Sequence, residues 1–381
     1  MLSVCLITKN EEKSLPRALA SVRGLADEII VADTGSTDHT VEIAQSLGAR
    51  VVHFPWCDDF SAARNFAVSQ ARGDWIFWLD ADEELLPESA AEVRSGMARA
   101  DALAFWVRRQ DLKDAGRLDF YSLMWQLRLF RRRDDLKFQG RCHPEFRPDI
   151  SEIETKTGLK VFQSTITMRH YGYIGEMIPA KLRRGARLLE LELQDRPGQL
   201  YYLIEFGRTL LMLEDGRGIE VLREAARKLL PFTKDDEPPM PIVSLLLEQL
   251  LQFAPEQLPA EFPPKLVERL AWRWFPNNAP LLWLLARQSA MAGQFDTAER
   301  MLRRLVQMGA DHSYDQGVSF DPALVGDGAK SNLGVCLLRQ GKLDEAQAVF
   351  QGLLRSPTHS AQARDSLEAI GQFIQQSGIR S

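Results

Sequence analysis

The chain has 381 residues, more than one hydrophobic core usually supports, so two domains are expected. Its composition, 45% hydrophobic and 26% charged, is that of an ordinary globular protein. The formal net charge of −5 excludes the basic footprint of a general nucleic-acid binder. The four cysteines (Cys5, Cys57, Cys142 and Cys336) lack metal-ligand spacing and read as reduced thiols. No charged stretch leads into a long apolar run at the amino terminus, and no segment reaches membrane-spanning length. A cytoplasmic protein without a transmembrane segment is expected.

Leu2–Thr8 is a short apolar run that reads as a first buried strand. Leu15, Leu19 and Val22 then recur at helical spacing, with Ser14 placed to cap and Gly24 to stop the helix. Glu28–Ala32 is a second strand ending at Asp33, and a tight Thr-Gly-Ser-Thr-Asp turn leads into a helix over 40–47. Ala49–Phe54 is a third strand, and a helix follows over 60–71. Trp75-Ile-Phe-Trp-Leu has five large apolar residues in a row, which suits a central strand buried on both faces. Regular alternation of strand and helix predicts a parallel sheet with crossover helices.

The Trp75 strand ends abruptly in Asp80-Ala-Asp82-Glu-Glu. In open α/β sheets ligands bind beyond the carboxyl ends of the strands. Thr8, Asp33 and Asp80 therefore converge on one sheet edge. Two carboxylates delivered there suit a hard divalent cation, which takes oxygen ligands and substrate phosphates. A solvated acidic turn is the plain alternative. Asp33 has two uses open to it: contact with a base or ribose, or bonding to its own turn.

Four stretches carry a resemblance: Val4-Cys-Leu-Ile-Thr-Lys-Asn-Glu, Val31-Ala-Asp-Thr-Gly-Ser-Thr-Asp, Asp59-Phe-Ser-Ala-Ala-Arg-Asn-Phe-Ala and Leu79-Asp-Ala-Asp-Glu. In order and spacing they resemble family 2 glycosyltransferases, the branch with carboxy-terminal tetratricopeptide-like repeats. That branch includes peptide S-glycosyltransferases, and a related one glucosylates the lipopolysaccharide core. The resemblance covers about residues 1–180. It implies a bacterial-type GT-A domain and an inverting, metal-dependent hexosyl transfer from a nucleotide sugar, with a UDP-sugar favoured. It also implies that Thr8, Asn10 and Glu11 lie beside the nucleotide and that Asp33 contacts the base. Asp80 would hold the ribose or a metal-bound water, and Asp82 would coordinate Mn²⁺ or Mg²⁺. Arg64 and Asn65 would sit on a helix near the diphosphate, or simply on a solvated face.

Farther on, a helix is predicted over 87–99 and strands over 103–109 and 121–130, with a loop or hairpin at 111–119. Relatives usually carry Gly-x-x-His-Glu where this chain has Gly140-Arg-Cys-His143-Pro144-Glu145. The acidic residue is displaced by one place, and a one-residue shift in an extended segment reverses the face. Glu145 leads as catalytic base, with His143 second and Glu83 third. A purely structural use of both His143 and Glu145 also stays open, because Pro144 marks a turn. A strand over 165–168 precedes Arg169-His-Tyr-Gly-Tyr. The family closes its GT-A domain on such a segment, so His170 is a third metal ligand or a core histidine; imidazole beside carboxylates suits Mn²⁺. Lys181, Arg183, Arg184 and Arg187 open the next helix on a basic face, with two uses open to it: steadying the diphosphate, or a plain solvated helix start.

Beyond Pro179 helical periodicity takes over. Leu285, Ala286, Gly293, Ala298 and Leu302 match Leu333, Gly334, Gly341, Ala346 and Phe350 at tetratricopeptide positions, with an inserted loop near 311–327 and a weaker copy near Tyr202. The expected division is a GT-A domain over 1–178, a connecting helix over 179–196 and an all-α repeat domain over 197–381. Expected partners are the donor, a peptide, protein or saccharide acceptor, and a second copy paired through the repeats. The rival reading is an inactive scaffold that binds a peptide or protein.

Overall fold

A computed structural model describes residues 1–114, 116–172, 174 and 178–377. The chain divides into two compact units, Met1–Asp215 and Gly216–Ser381.

The first unit begins with β1 (Leu2–Thr8), α1 (Leu15–Val22), β2 (Glu28–Asp33), α2 (Thr40–Ser46), β3 (Arg50–His53), α3 (Phe60–Ser69) and β4 (Trp75–Trp78). It continues through β5 (Glu83–Leu85), α4 (Ala90–Met97), β6 (Ala102–Leu112), β7 (Tyr121–Arg131), β8 (Lys137–Gln139), β9 (Glu145–Arg147), α5 (Ile150–Thr157) and β10 (Lys160–His170). Two helices, α6 (Ile178–Asp195) and α7 (Leu200–Met212), complete it. An eight-stranded sheet has the order β3-β2-β1-β4-β7-β6-β10-β5. The β1–β2, β1–β4, β2–β3 and β6–β10 pairings are parallel, while β7 runs antiparallel to both of its neighbours. This is the mostly parallel sheet that the strand–helix alternation predicts.

The Trp75 strand lies inside the sheet with both faces covered. All four β4 residues are buried, Phe77 and Trp75 on one face and Ile76 and Trp78 on the other. Each face packs its own cluster, so both layers of helices are required for burial. Thr8 pairs with Asp33 in register, and Leu79 N bonds Cys5 O, so the carboxyl ends of β1, β2 and β4 share one edge.

The structure departs from the sequence reading beyond Asp82. Asp111 belongs to β6 rather than to a loop, and β5, β8, β9 and α5 go beyond the elements that the sequence predicts. Three-residue strands are too short to show a period. Helices α6 and α7, expected to link and open the repeat domain, pack with the first unit. Leu188, Leu189, Tyr202 and Cys142 form one cluster with Trp56 and Phe60. The buried Glu192 carboxylate accepts the backbone N–H of Arg141, whose guanidinium bonds Asp195 at 2.8 Å.

The second unit is helical: α8 (Arg217–Leu229), α9 (Val243–Leu250), α10 (Pro264–Trp274), α11 (Ala279–Met291), α12 (Phe295–Asp311), α13 (Asp327–Arg339), α14 (Leu343–Leu353) and α15 (Ser360–Ser377). The expected repeat windows are the hairpins α11–α12 and α13–α14. Gly293 and Gly341 turn the chain at φ +74° and +75°, a conformation that favours glycine. Gly334 sits against the Phe350 ring; a Cβ there would lie 2.6 Å from it, so glycine permits the close helix approach. Cys5, Cys142 and Cys336 are buried and Cys57 is exposed, all as free thiols. No described helix is long and apolar enough to cross a membrane.

Candidate active site

The acidic turn after β4 is wired to its neighbours. Asp80 Oδ2 accepts from Arg128 at 3.0 Å, and its Oδ1 accepts from Trp78 Nε1 at 2.9 Å and Arg64 at 3.4 Å. Glu83, fully buried, accepts from Arg128 at 2.8 Å and from the Asp80 backbone N–H at 2.8 Å. Burial works to raise the Asp80 carboxyl, but Arg128 and Arg64 outweigh it and hold it well below the usual carboxylate range. Burial raises Glu83 instead. Glu83 therefore shapes the turn from inside, bonded to Arg128 and to the Asp80 backbone.

Asp82 faces His170 at the end of β10, with Oδ1 and Nε2 3.5 Å apart. The other ring nitrogen, Nδ1, lies 2.8 Å from Asp111 Oδ1, and Asp111 is itself paired with Arg109 at 2.8 Å. A carboxylate behind a histidine fixes its ring and tautomer, as behind metal-bound histidines generally. Lys181, from the first turns of α6, donates to Asp82 Oδ2 at 2.7 Å. Burial favours the neutral acid at Asp82; the His170 ring and Lys181 ammonium more than reverse this and keep it ionised. Burial depresses His170, but its bonds to Asp111 and Asp82 carry it up to about 9.

Gly172 supplies a cradle. A Cβ at this position would fall closer than 3.0 Å to both Asp82 Oδ2 and His170 Nε2, so only glycine permits this close approach. A carboxylate oxygen and an imidazole nitrogen facing one space fit Mn²⁺, with Mg²⁺ a poorer match to imidazole. Among the described residues no group of three or more His, Cys, Asp or Glu gathers around such a point. Asp82 and His170 face each other there, whereas Asp80 is engaged by arginines. Tyr173, the end of the His-Tyr-Gly-Tyr segment, lies outside the described residues.

The remaining expected residues divide by place. Asp33 is 3% exposed and accepts from the backbone N–H groups of Gly35 and Ser36, so its carboxylate is engaged in its own turn. Thr8, beside it, keeps a buried Oγ1 with no hydrogen-bond partner among the described residues. Asn10, at φ 57°, accepts from Thr37 N at 2.8 Å. Glu11 lies close enough to Asp82 that burial and then this charge raise its carboxyl. Arg64 reaches Asp80 and stacks over Trp78 at 4.7 Å, whereas Asn65 commits its amide to both backbone groups of Phe138.

His143 and Glu145 belong to a separate cluster on the β8–β9 hairpin. His143 Nε2 lies 3.6 Å from Glu205 on α7. Desolvation works against its charge, but Glu205 prevails and raises it to about 9. Glu145 is exposed, with Arg147 at 3.9 Å, and desolvation raises its carboxyl. Among the described residues no hydrogen bond or ion pair ties His143 or Glu145 to Asp80 or Asp82.

Sequence reasoning missed Asp111, Arg109, Gly172 and the inward reach of Lys181. Arg109 and Asp111 did carry a signal: an i, i+2 pair falls on one face of a strand. Nothing local marks Lys181 as different from its basic neighbours.

The sheet, its acidic edge and the basic side chains around it form the arrangement that the sequence resemblance leads one to expect. Residues 3–146 match the model of glycosyl transferase family 2. A TPR repeat-containing protein of Synechococcus elongatus is 40% identical over 220 residues, 56% of this chain and 53% of that protein. The SPbeta prophage-derived glycosyltransferase SunS of Bacillus subtilis is 30% identical over 237 residues, 60% of this chain and 53% of that protein. Among solved structures, S. aureus TarS 1-349 in complex with UDP-GlcNAc aligns with a TM-score of 0.38 at 15% identity, covering 84% of this chain and 95% of that one. The chain spans about half the length of these two curated relatives.

Proposed function

We propose that this chain transfers a hexose from a nucleoside diphosphate sugar, a UDP-sugar favoured, to an acceptor hydroxyl or thiol with inversion. The observation that carries the reading is Asp82 and His170 facing each other beside Gly172, at the carboxyl edge of the sheet. These two side chains would hold Mn²⁺ or Mg²⁺. Bound there, the cation would neutralise charge on the departing diphosphate. Arg64 and Arg128 fix the Asp80 carboxylate as an anion, ready to accept from a ribose hydroxyl or a metal-bound water. The buried Thr8 hydroxyl and Glu11 line the same edge, beside the nucleotide.

Glu145 is the preferred base. A base must be unprotonated at working pH and within reach of the acceptor proton. The pairing of His143 with Glu205 favours its charged form, and Glu145 on the same hairpin is the carboxylate left to serve.

For the acceptor, a protein or peptide is favoured over a saccharide. The second unit carries a cavity of about 520 Å³ between α11 and α13, floored by Phe295 and Leu302 of α12. Met291 and Val335 are exposed apolar side chains along it, and Arg287 and Arg339 flank it. An acceptor segment with apolar residues beside carboxylates complements that lining. Pairing of two copies through the same repeats is the alternative use.

The deciding experiment is donor turnover with Mn²⁺ and a panel of UDP-, GDP- and dTDP-sugars, read as release of nucleoside diphosphate. Asp82→Ala should lose several kcal/mol of transition-state stabilisation, about 100-fold or more in rate, with its circular dichroism unchanged. Undiminished turnover in that variant removes the metal assignment. Nucleotide binding without turnover of any sugar would instead favour the scaffold reading.

A further inference from the structure

Lys181 stands where an added cation would be repelled. Its ammonium donates to Asp82 Oδ2 at 2.7 Å and to Gly172 O at 3.4 Å. Asp82 Oδ1 lies 3.5 Å from His170 Nε2, and both side chains close on Gly172. One carboxylate thus serves both the resident ammonium and the pair suited to a metal ion. A divalent cation and an ammonium sharing that carboxylate would repel each other.

Lys181 is also able to leave. Its side chain is 34% exposed, against 16% for Asp82, and it reaches the carboxylate on four flexible methylenes from α6. Arg128 offers the contrast: at 4% exposure, and bonded to both Asp80 and Glu83, it is fixed. The two acidic positions of the turn therefore differ in kind. Asp80 has permanent counter-ions, and Asp82 has a removable one.

We infer that Lys181 is a built-in counter-ion that competes with the divalent cation for Asp82 and yields when a nucleoside diphosphate arrives. The inference rests on the metal-dependent function proposed for the chain. A diphosphate brings negative charge for both cations, so the ammonium exchanges the carboxylate for a phosphate oxygen as the metal takes Asp82. Metal and donor then bind with positive coupling: each is weak alone and strong together. The linkage is reciprocal, so the metal improves nucleotide affinity by the same factor as the nucleotide improves metal affinity.

The test is Mn²⁺ binding to the full chain, by calorimetry and by the electron paramagnetic resonance signal of free Mn²⁺, with and without UDP. Lys181→Met removes the charge and keeps the length; Lys181→Arg keeps a charge. Without UDP, Lys181→Met should bind Mn²⁺ roughly tenfold or more tightly than the parent chain, within the usual range of coupling between sites. UDP should then improve its Mn²⁺ affinity by a smaller factor than in the parent. Lys181→Arg should stay near the parent. Equal or weaker Mn²⁺ affinity in Lys181→Met overturns the competition and leaves the metal-dependent reading standing, as does tightening in Lys181→Arg equal to that in Lys181→Met. Failure of both parent and Lys181→Met to bind Mn²⁺ even with UDP removes the metal reading itself, and the competition with it.

Discussion

Gly172 and Asp111 have no part in holding the sugar, yet both act on the proposed metal pair. Replacing Gly172 by alanine puts a methyl group into the space between Asp82 and His170. Gly172→Ala should therefore abolish Mn²⁺ binding in calorimetry while the circular dichroism stays that of the parent. Asp111→Asn removes the carboxylate that orients the His170 ring, and Mn²⁺ affinity should fall about 10–100-fold, the usual loss behind a metal-bound histidine. His170 also makes the metal-free protein pH-sensitive. Its value is raised from 6.5 to about 9, so the stability contributed by the charged ring is complete below 6.5 and lost as the pH climbs through 9. The melting temperature of the metal-free chain should fall over that interval, and His170→Asn should flatten the fall. Mn²⁺ needs the neutral ring, so its affinity should rise over the same interval.

Elements differ in how openly the sequence declares them. β4 could be read because a run of consecutive large apolar residues suits burial on both faces, and the glycosyltransferase motifs agree with its placement. The repeat hairpins could be read from Gly293, Gly341 and the small residues that face large ones. Gly334→Val, which would drive a branched side chain into the Phe350 ring, should cost about 1–3 kcal/mol, measurable by urea unfolding. The strands β5, β8 and β9 could not be read, since three residues show no period and their reason for existing lies in distant partners. β5 exists because β10 pairs with it, Arg169 opposite Glu84 and His170 opposite Glu83. That pairing brings the end of β10 to the acidic turn. The candidate site is thus half legible: Asp80 and Asp82 lie in one motif, but the contacts of His170, Asp111 and Lys181 are set by pairings across 59 to 99 residues.

For the whole molecule, the position of the division matters more than its existence. Length alone announces two units, and the change from alternating elements to continuous helix places the change near residue 178. In the structure α6 and α7 stay with the sheet, because they cover Trp56, Phe60 and Cys142 and because Arg141 binds Glu192 and Asp195. Periodicity cannot reveal this, as a helix with one apolar stripe reads alike whichever unit it covers. A chain cut after Asp215 should remain monodisperse in gel filtration and bind UDP with Mn²⁺. One cut after residue 178 should aggregate, having lost Lys181 and bared an apolar surface.

The distribution of the thiols turns the protein into its own recorder of opening. A bulky alkylating reagent can reach Cys57 at once, whereas Cys5 waits for α3 to lift from the sheet, Cys142 for α6 and α7 to lift, and Cys336 for α12 and α13 to part. Mass spectrometry of a timed labelling series therefore gives three independent clocks. The order in which they run down is the order in which the layers of the molecule come loose.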